Sequence, residues 1–134
     1  MPTVTPVKVV DASALAAVLF GEPEGEAIAA RLEASRLAAP ALLPFEVASV
    51  CLKKMRRHPE IGDKAAATFD MLARMEIDLV GIDLAGALRL ADEAGLSVYD
   101  ASYLWLAREL RAELVTLDKR LETAGVTIAG RGTT

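Results

Sequence analysis

The sequence predicts an α/β chain whose central, mainly parallel sheet of about four to five strands is covered by helices on both faces. Three observations carry that expectation. Short apolar runs alternate with stretches of helical periodicity. The runs themselves carry little polar character, which marks strands buried on both sides rather than strands with one wet face. No repeat, linker or low-complexity segment interrupts the 134 residues, so a single domain over 1–134 is expected. A chain of this size buries roughly two-thirds of its unfolded surface.

Each element has a local reason. Residues 1–6 hold two prolines and no pattern and are expected to form a loose tail. Residues 7–10 are an apolar strand apart from Lys8, followed by a short helix over 12–20 that the Gly21-Glu22-Pro23 turn stops. Residues 25–34 are amphipathic, with Ala27, Ile28 and Leu32 on one face. Residues 37–41 are extended, and a helix opens at Pro44 and runs through a basic end to His58-Pro59. A further helix spans 61–75, and a third strand 77–82. Asp83 caps a helix ending at Gly95, residues 99–110 are helical, and residues 114–117 form a strand. Residues 126–128 are expected to be an edge strand.

Composition excludes several classes. Hydrophobic residues make up 53% and charged residues 25%, which is globular rather than disordered. A net charge of −4 supplies no general attraction for nucleic acid, so any such binding needs a local patch. The lone Cys51 rules out an intrachain disulfide and fits a reducing compartment. There is no basic leader, and uncharged stretches fall short of the roughly 20 residues that span a bilayer. A cytoplasmic protein with no membrane association is expected. A mean hydropathy of +0.33 is high for a small monomer and predicts apolar surface covered by a second copy, around 43–51 and 103–110.

Four acids stand out, and each taken alone has a plain structural explanation. Asp11 or Ser13 caps a helix, and Glu46 sits in a first turn beside Pro44, where the helix dipole favours a carboxylate. Ser97-x-x-Asp100 resembles a capping box, and Asp118 caps the turn over 119–122. Parallel topology joins them. Strand-to-helix junctions lie at the carboxyl edge, which places Asp11, Glu46 and Asp118 there. The helix leading into strand 114–117 must descend, so its start, with Asp100, lies at the same edge. Four carboxylates together repel unless a cation joins them, and hard oxygen donors suit Mg²⁺ or Mn²⁺. Ser13 and Thr116, two residues from their acids, are spaced to orient carboxylates or to contact a phosphate.

The segments VVDASAL, LPFEVASVCLKK, LSVYDASYLWLA and LVTLDKRL, in this order, resemble the PIN-domain ribonucleases, most closely the VapC-type toxins of toxin–antitoxin pairs. The resemblance implies a three-layer α/β/α fold and metal-dependent endonucleolytic cleavage of RNA. It puts the catalytic and metal-binding acids at Asp11, Glu46, Asp100 and Asp118, and the hydroxyls at Ser13 and Thr116. It also implies a homodimer and a cognate VapB-type antitoxin whose tail covers the acidic cleft.

Candidate phosphate contacts are Lys119 and Arg120, near the acids, and Lys53, Lys54, Arg56 and Arg57, whose charges also complement a helix C-terminus. Aromatic residues are only 4%, which argues against base stacking, and Tyr103, Leu104 and Trp105 read as core or dimer surface. The alternatives are a PIN nuclease for RNA processing with no antitoxin, and a non-catalytic metal- or nucleic-acid-binding module. A receiver domain would need a lysine ending a late strand. A haloacid-dehalogenase-type phosphatase would need Asp-x-Asp where this chain has Asp11-x-Ser13.

Overall fold

The computed structural model describes residues 5–132. Its elements, in chain order, are β1 (Val7–Val10), α1 (Ala12–Leu19), α2 (Gly25–Leu32), β2 (Arg36–Pro40), α3 (Leu43–Arg57), α4 (Gly62–Asp70), β3 (Ile77–Val80), α5 (Leu84–Ala94), α6 (Val98–Leu110), β4 (Glu113–Val115) and α7 (Lys119–Gly132). Of the expected tail, residues 1–4 lie outside the described residues, and residues 5–6 are irregular and exposed.

The four strands form one all-parallel sheet in the order β3-β2-β1-β4. From β1 the chain steps to β2 and on to β3 in one direction, then returns across the sheet to add β4 on the other side of β1. Right-handed crossovers turn that reversal into layering: α1 to α4 cover one face, α5 and α6 the other. The result is the three-layer α/β/α fold. β1 sits at the centre of the sheet, and Val9 and Val10 are fully buried. The reversal creates a switch point between the carboxyl ends of β1 and β4, the place where open sheets bind ligands.

Local chemistry explains most boundaries. Gly95 ends α5 in the left-handed region at φ +68°, a conformation that favours glycine. Ser97 caps α6 by accepting from the Asp100 amide at 3.0 Å. The helix expected over 61–75 is broken: a 3₁₀ turn at Pro59–Ile61 precedes α4, and another at Met71–Arg74 follows it. Cys51 is buried against the Ala65 carbonyl, as a small core residue should be.

The expectation of an edge strand at 126–128 is wrong, because those residues lie inside α7. Asp118 is the reason. Its Oδ1 accepts from the amides of Arg120 and Leu121, and its carbonyl accepts from the Glu122 amide, so a helix is nucleated directly after β4. Leu121 and Ala124 then bury into the core, and the β-branched Val126 and Thr127 are carried along in a helix already begun. The strands are also not uniformly buried. β3 pairs only with β2, so Asp78 and Leu79 on this edge strand are exposed.

One close contact gives a test of the helical layer. A Cβ at Gly25 would stand 2.3 Å from the Ala17 carbonyl oxygen, a backbone atom that has no rotamer by which to retreat. Gly25→Ala is therefore expected to destabilise the fold by about 1–3 kcal/mol, the usual cost of overpacking. Calorimetry should show the melting temperature lowered by several degrees. An unchanged melting temperature would mean that α1 and α2 separate freely.

Candidate functional site

Asp11 ends β1 and begins α1, and it is 5% exposed. Burying a carboxylate is costly unless its oxygens are bonded, and both are. Oδ1 accepts from the Ala14 amide at 3.0 Å and from the Ser13 hydroxyl at 2.7 Å, while Oδ2 accepts from the Thr116 hydroxyl at 2.5 Å. Each hydroxyl also accepts from a backbone amide in the turn after β4. Ser13 Oγ takes the Leu117 N–H at 3.0 Å, and Thr116 Oγ1 takes the Asp118 N–H at 2.9 Å. A hydroxyl holds one proton, so accepting an N–H leaves that proton free to point at Asp11. The capping and site readings of Asp11 are thus both realised, since the same carboxylate caps α1 and ties β1 to β4.

The other acids reach this junction from three helices. Glu46 lies in the first turn of α3, half-buried, and its Oε1 accepts from the Tyr103 hydroxyl at 2.6 Å. Asp100 lies in the first turn of α6, and Asp118 precedes α7. Burial chiefly, and then their neighbours' charge, raise the carboxyl pKa values of Asp11, Glu46 and Asp100 above the ordinary range. Asp118 repels Asp11 and Asp100, Asp100 repels Glu46, and Asp11 repels both Glu46 and Asp100. Hydrogen bonds from Thr116, Ala14 and Ser13 oppose the rise at Asp11, and that from Tyr103 opposes it at Glu46. The four acids share one field. Among the described residues, however, no group of three stands close enough to hold an ion in its present geometry, since like charges keep their distance.

At the expected capping box of α6, Ser97 accepts from the Asp100 amide, and a hydrogen bond from the Ser97 side chain partly offsets the rise at Asp100. The basic candidates separate by position. The Arg120 guanidinium donates to the Gly95 carbonyl at 2.8 Å, and its charge partly offsets the rise at Asp100. Lys119 is exposed at the start of α7. Lys53 lies seven residues after Glu46, on the same face of α3, two turns along. Lys54 instead pairs with Glu22 at 2.7 Å and stands over the Phe20 ring, which makes it a structural cation. Arg56 and Arg57 are exposed at the far end of α3.

Tyr103 is the contact to a candidate acid that composition concealed. It is 1% exposed and so is core, as expected, yet its hydroxyl is aimed at Glu46. The available signal was its spacing, because Asp100 and Tyr103 are three residues apart and share a helix face. Most other apolar residues at 43–51 and 103–110 are also buried within the chain, including Leu43, Val47, Leu104 and Leu106. Phe45 and Leu110 are the exposed large ones.

Three raised carboxyl pKa values have a definite pH consequence. A carboxyl that holds its proton more tightly in the native state contributes stability below its ordinary range near pH 4, and that contribution is lost as pH rises through the raised value. In metal-free protein, Asp100→Asn should match the wild-type melting temperature near pH 4 and hold or exceed it near pH 7. Thermal melts across that window check the sign. A variant that is markedly less stable at both ends would make Asp100 a cap and nothing more.

The PIN-domain family pattern matches residues 8–126. The ribonuclease VapC9 of Mycobacterium tuberculosis is 36% identical over 122 residues, covering 87% of this chain and 90% of that protein. The ribonuclease VapC3 of Pyrobaculum aerophilum is 33% identical over 118 residues, covering 84% and 90%. Among solved structures, PAE2754 of Pyrobaculum aerophilum superposes with a TM-score of 0.73 at 25% identity, covering 97% of each chain. VapC20 of Mycobacterium tuberculosis, a toxin that cleaves the sarcin-ricin loop, superposes at 0.63 and 18% identity over 88% and 95%, a likeness of fold alone. The sheet order, its switch point and these matches agree: the chain belongs to the PIN-domain family and stands with its VapC members.

Proposed function

We propose that this protein is a metal-dependent endoribonuclease, the toxin of a VapBC-type toxin–antitoxin pair. The observation that carries the reading is the bracing of Asp11. A buried carboxylate with both oxygens held by hydroxyls, one from the start of α1 and one from the end of β4, at a switch point shared with three more acids, is built for more than a helix cap. The ribonuclease names of its relatives give the chemistry its class.

The donor set fits a hard divalent cation. Asp11, Glu46, Asp100 and Asp118 supply only carboxylate oxygens, which suits Mg²⁺ or Mn²⁺ rather than a softer metal. Such an ion supplies a lowered pKa for bound water and neutralises charge on a phosphodiester. The chain's own residues do the positioning. Ser13 and Thr116 hold Asp11 in one orientation, with their protons committed to it, so they act on the carboxylate rather than on a phosphate. Tyr103 holds Glu46. Of the basic candidates, Lys119 follows Asp118 in sequence, Arg120 offsets the rise at Asp100 and Lys53 stands two turns from Glu46, and these three serve as phosphate contacts. Arg56 and Arg57 extend that path, and Lys54 contributes only by bracing α3.

The partners of this reading are RNA, a VapB-type antitoxin and a second copy of the chain. The exposed Leu84 and Leu88, one turn apart on α5, provide an apolar surface for the second copy. Among the described residues no helix is long and apolar enough to cross a membrane.

Cleavage of total cellular RNA, with Mn²⁺ and with EDTA, tests the proposal. Wild type should cut only with the metal, and Asp11→Asn should not cut at all while remaining cooperatively folded. Thr116→Val, which removes a hydroxyl but keeps the shape, should lose roughly 10–100-fold in activity. Metal-independent cutting, or full activity in Asp11→Asn, would sink the assignment.

A further inference from the structure

The chain has six aromatic side chains, and their placement is uneven. Tyr103 is buried, and Phe20, Phe69 and Trp105 are partly covered. The two exposed rings are Phe45, 79% accessible, and Tyr99, 66% accessible, and both line the same cavity of 530 Å³. A single exposed ring is ordinary, but two converging on one groove are not. Each ring directly precedes an acid of the proposed centre, Glu46 or Asp100. Glu46 itself and Ala12, the neighbour of Asp11, also line the groove, so its contents lie beside the acids. Lys53 and Ser49 supply a cation and a hydroxyl on the same wall.

We propose that this groove is a nucleobase subsite, in which Phe45 and Tyr99 stack a base of single-stranded RNA next to the phosphodiester presented to the acids. The inference rests on the nuclease reading and adds to it where the strand goes. The volume falls within the range of small-ligand sites, roughly 300–1,000 Å³. The acids and the ion they would hold engage only the scissile phosphate and offer nothing to the bases beside it. Affinity must come from beside the centre, and an aromatic face offers it to any base without sequence demand. Lys53 then meets a flanking phosphate, the one attraction the groove holds for the backbone. A purely apolar seam for a protein partner would not need Lys53, Glu46 and Ser49 along its length. The low aromatic content argued against stacking, but what matters is that both exposed rings flank the same groove.

The test uses the full-length protein with Mn²⁺ and a single-stranded oligoribonucleotide that wild type cuts at one bond. Phe45→Ala and Tyr99→Ala should each raise KM roughly tenfold, within what loss of a stacked base costs. Both should keep the wild-type Mn²⁺ affinity, melting temperature and oligomeric state. Phe45→Trp should restore KM and Phe45→Leu should not, because a π face is required rather than apolar bulk. Substrates with one abasic nucleotide, placed at successive positions around the cut, complete a double-mutant cycle. Wild type should be penalised at one position, and Phe45→Ala should be insensitive to it. Unchanged KM, full rescue by Phe45→Leu, or equal abasic penalties in wild type and variant each overturn the subsite. A KM change that disappears once the variants are concentrated enough to restore wild-type oligomers overturns it as well and makes the groove an interface between copies. Failure of wild type to cut RNA in Mn²⁺ is a different result, which removes the nuclease reading and this inference together.

Discussion

One carboxylate organises the upper edge of the molecule. Asp11 is buried where β1 meets β4, and a charge there is tolerated only because three donors converge on it. Two of those donors are hydroxyls that also accept the amides of Leu117 and Asp118. The turn after β4 is thereby fastened to the start of α1, and the Asp11 amide closes the pairing by donating to the Val115 carbonyl at 3.2 Å. The network therefore joins the two strands between which the order of the sheet reverses. Removing one hydroxyl leaves the carboxylate short of a partner and one amide less well held, so the effects are coupled rather than additive.

From this junction the rest of the site follows as geometry. α6 lies on the face opposite α3 and brings Asp100 to the edge in its first turn, then Tyr103 one turn later. The Tyr103 hydroxyl spans the gap to Glu46, so one helix places one acid and steadies another. Asp118 caps α7 with the same side chain that repels Asp11 and Asp100. Two of the four acids, Asp11 and Asp118, are caps as well, and the other two lie in first helical turns. A helix N-terminus stabilises a carboxylate, and a parallel sheet gathers helix N-termini at one end. The opposite end of the sheet shows the contrast: Lys8 and Arg31 both pair with Glu113 there, so charges of opposite sign meet instead of like charges accumulating.

Much of the fold was legible because it is local. The burial of β1 shows in its apolar run, the end of α5 shows in Gly95, and the opening of α3 shows in Pro44. Where the reading failed, local propensity and continuing structure disagreed. Val126 and Thr127 favour a strand when taken alone, but the Asp118 cap starts a helix whose Leu121 and Ala124 bury well, and propagation carries it past them. The apolar pattern over 61–75 marked a buried face correctly but not the two 3₁₀ turns that interrupt it.

By itself the sequence determined the chemical inventory: four acids and two hydroxyls at strand ends and first helical turns, in an alternation that only a parallel sheet accommodates. Caps, turns and periodicity act over four residues or fewer, and such signals survive in a linear reading. Tertiary structure decided what depends on strand order. Ser13 and Thr116 meet across 103 positions of sequence, and Tyr103 meets Glu46 across 57. The spacing from Asp100 puts Tyr103 on the acid-bearing face of α6, but it does not show that its hydroxyl bonds a second acid far away in sequence. Nor does the 4% aromatic content reveal that two exposed rings flank one groove, because exposure is set by what packs on each face after the sheet has closed.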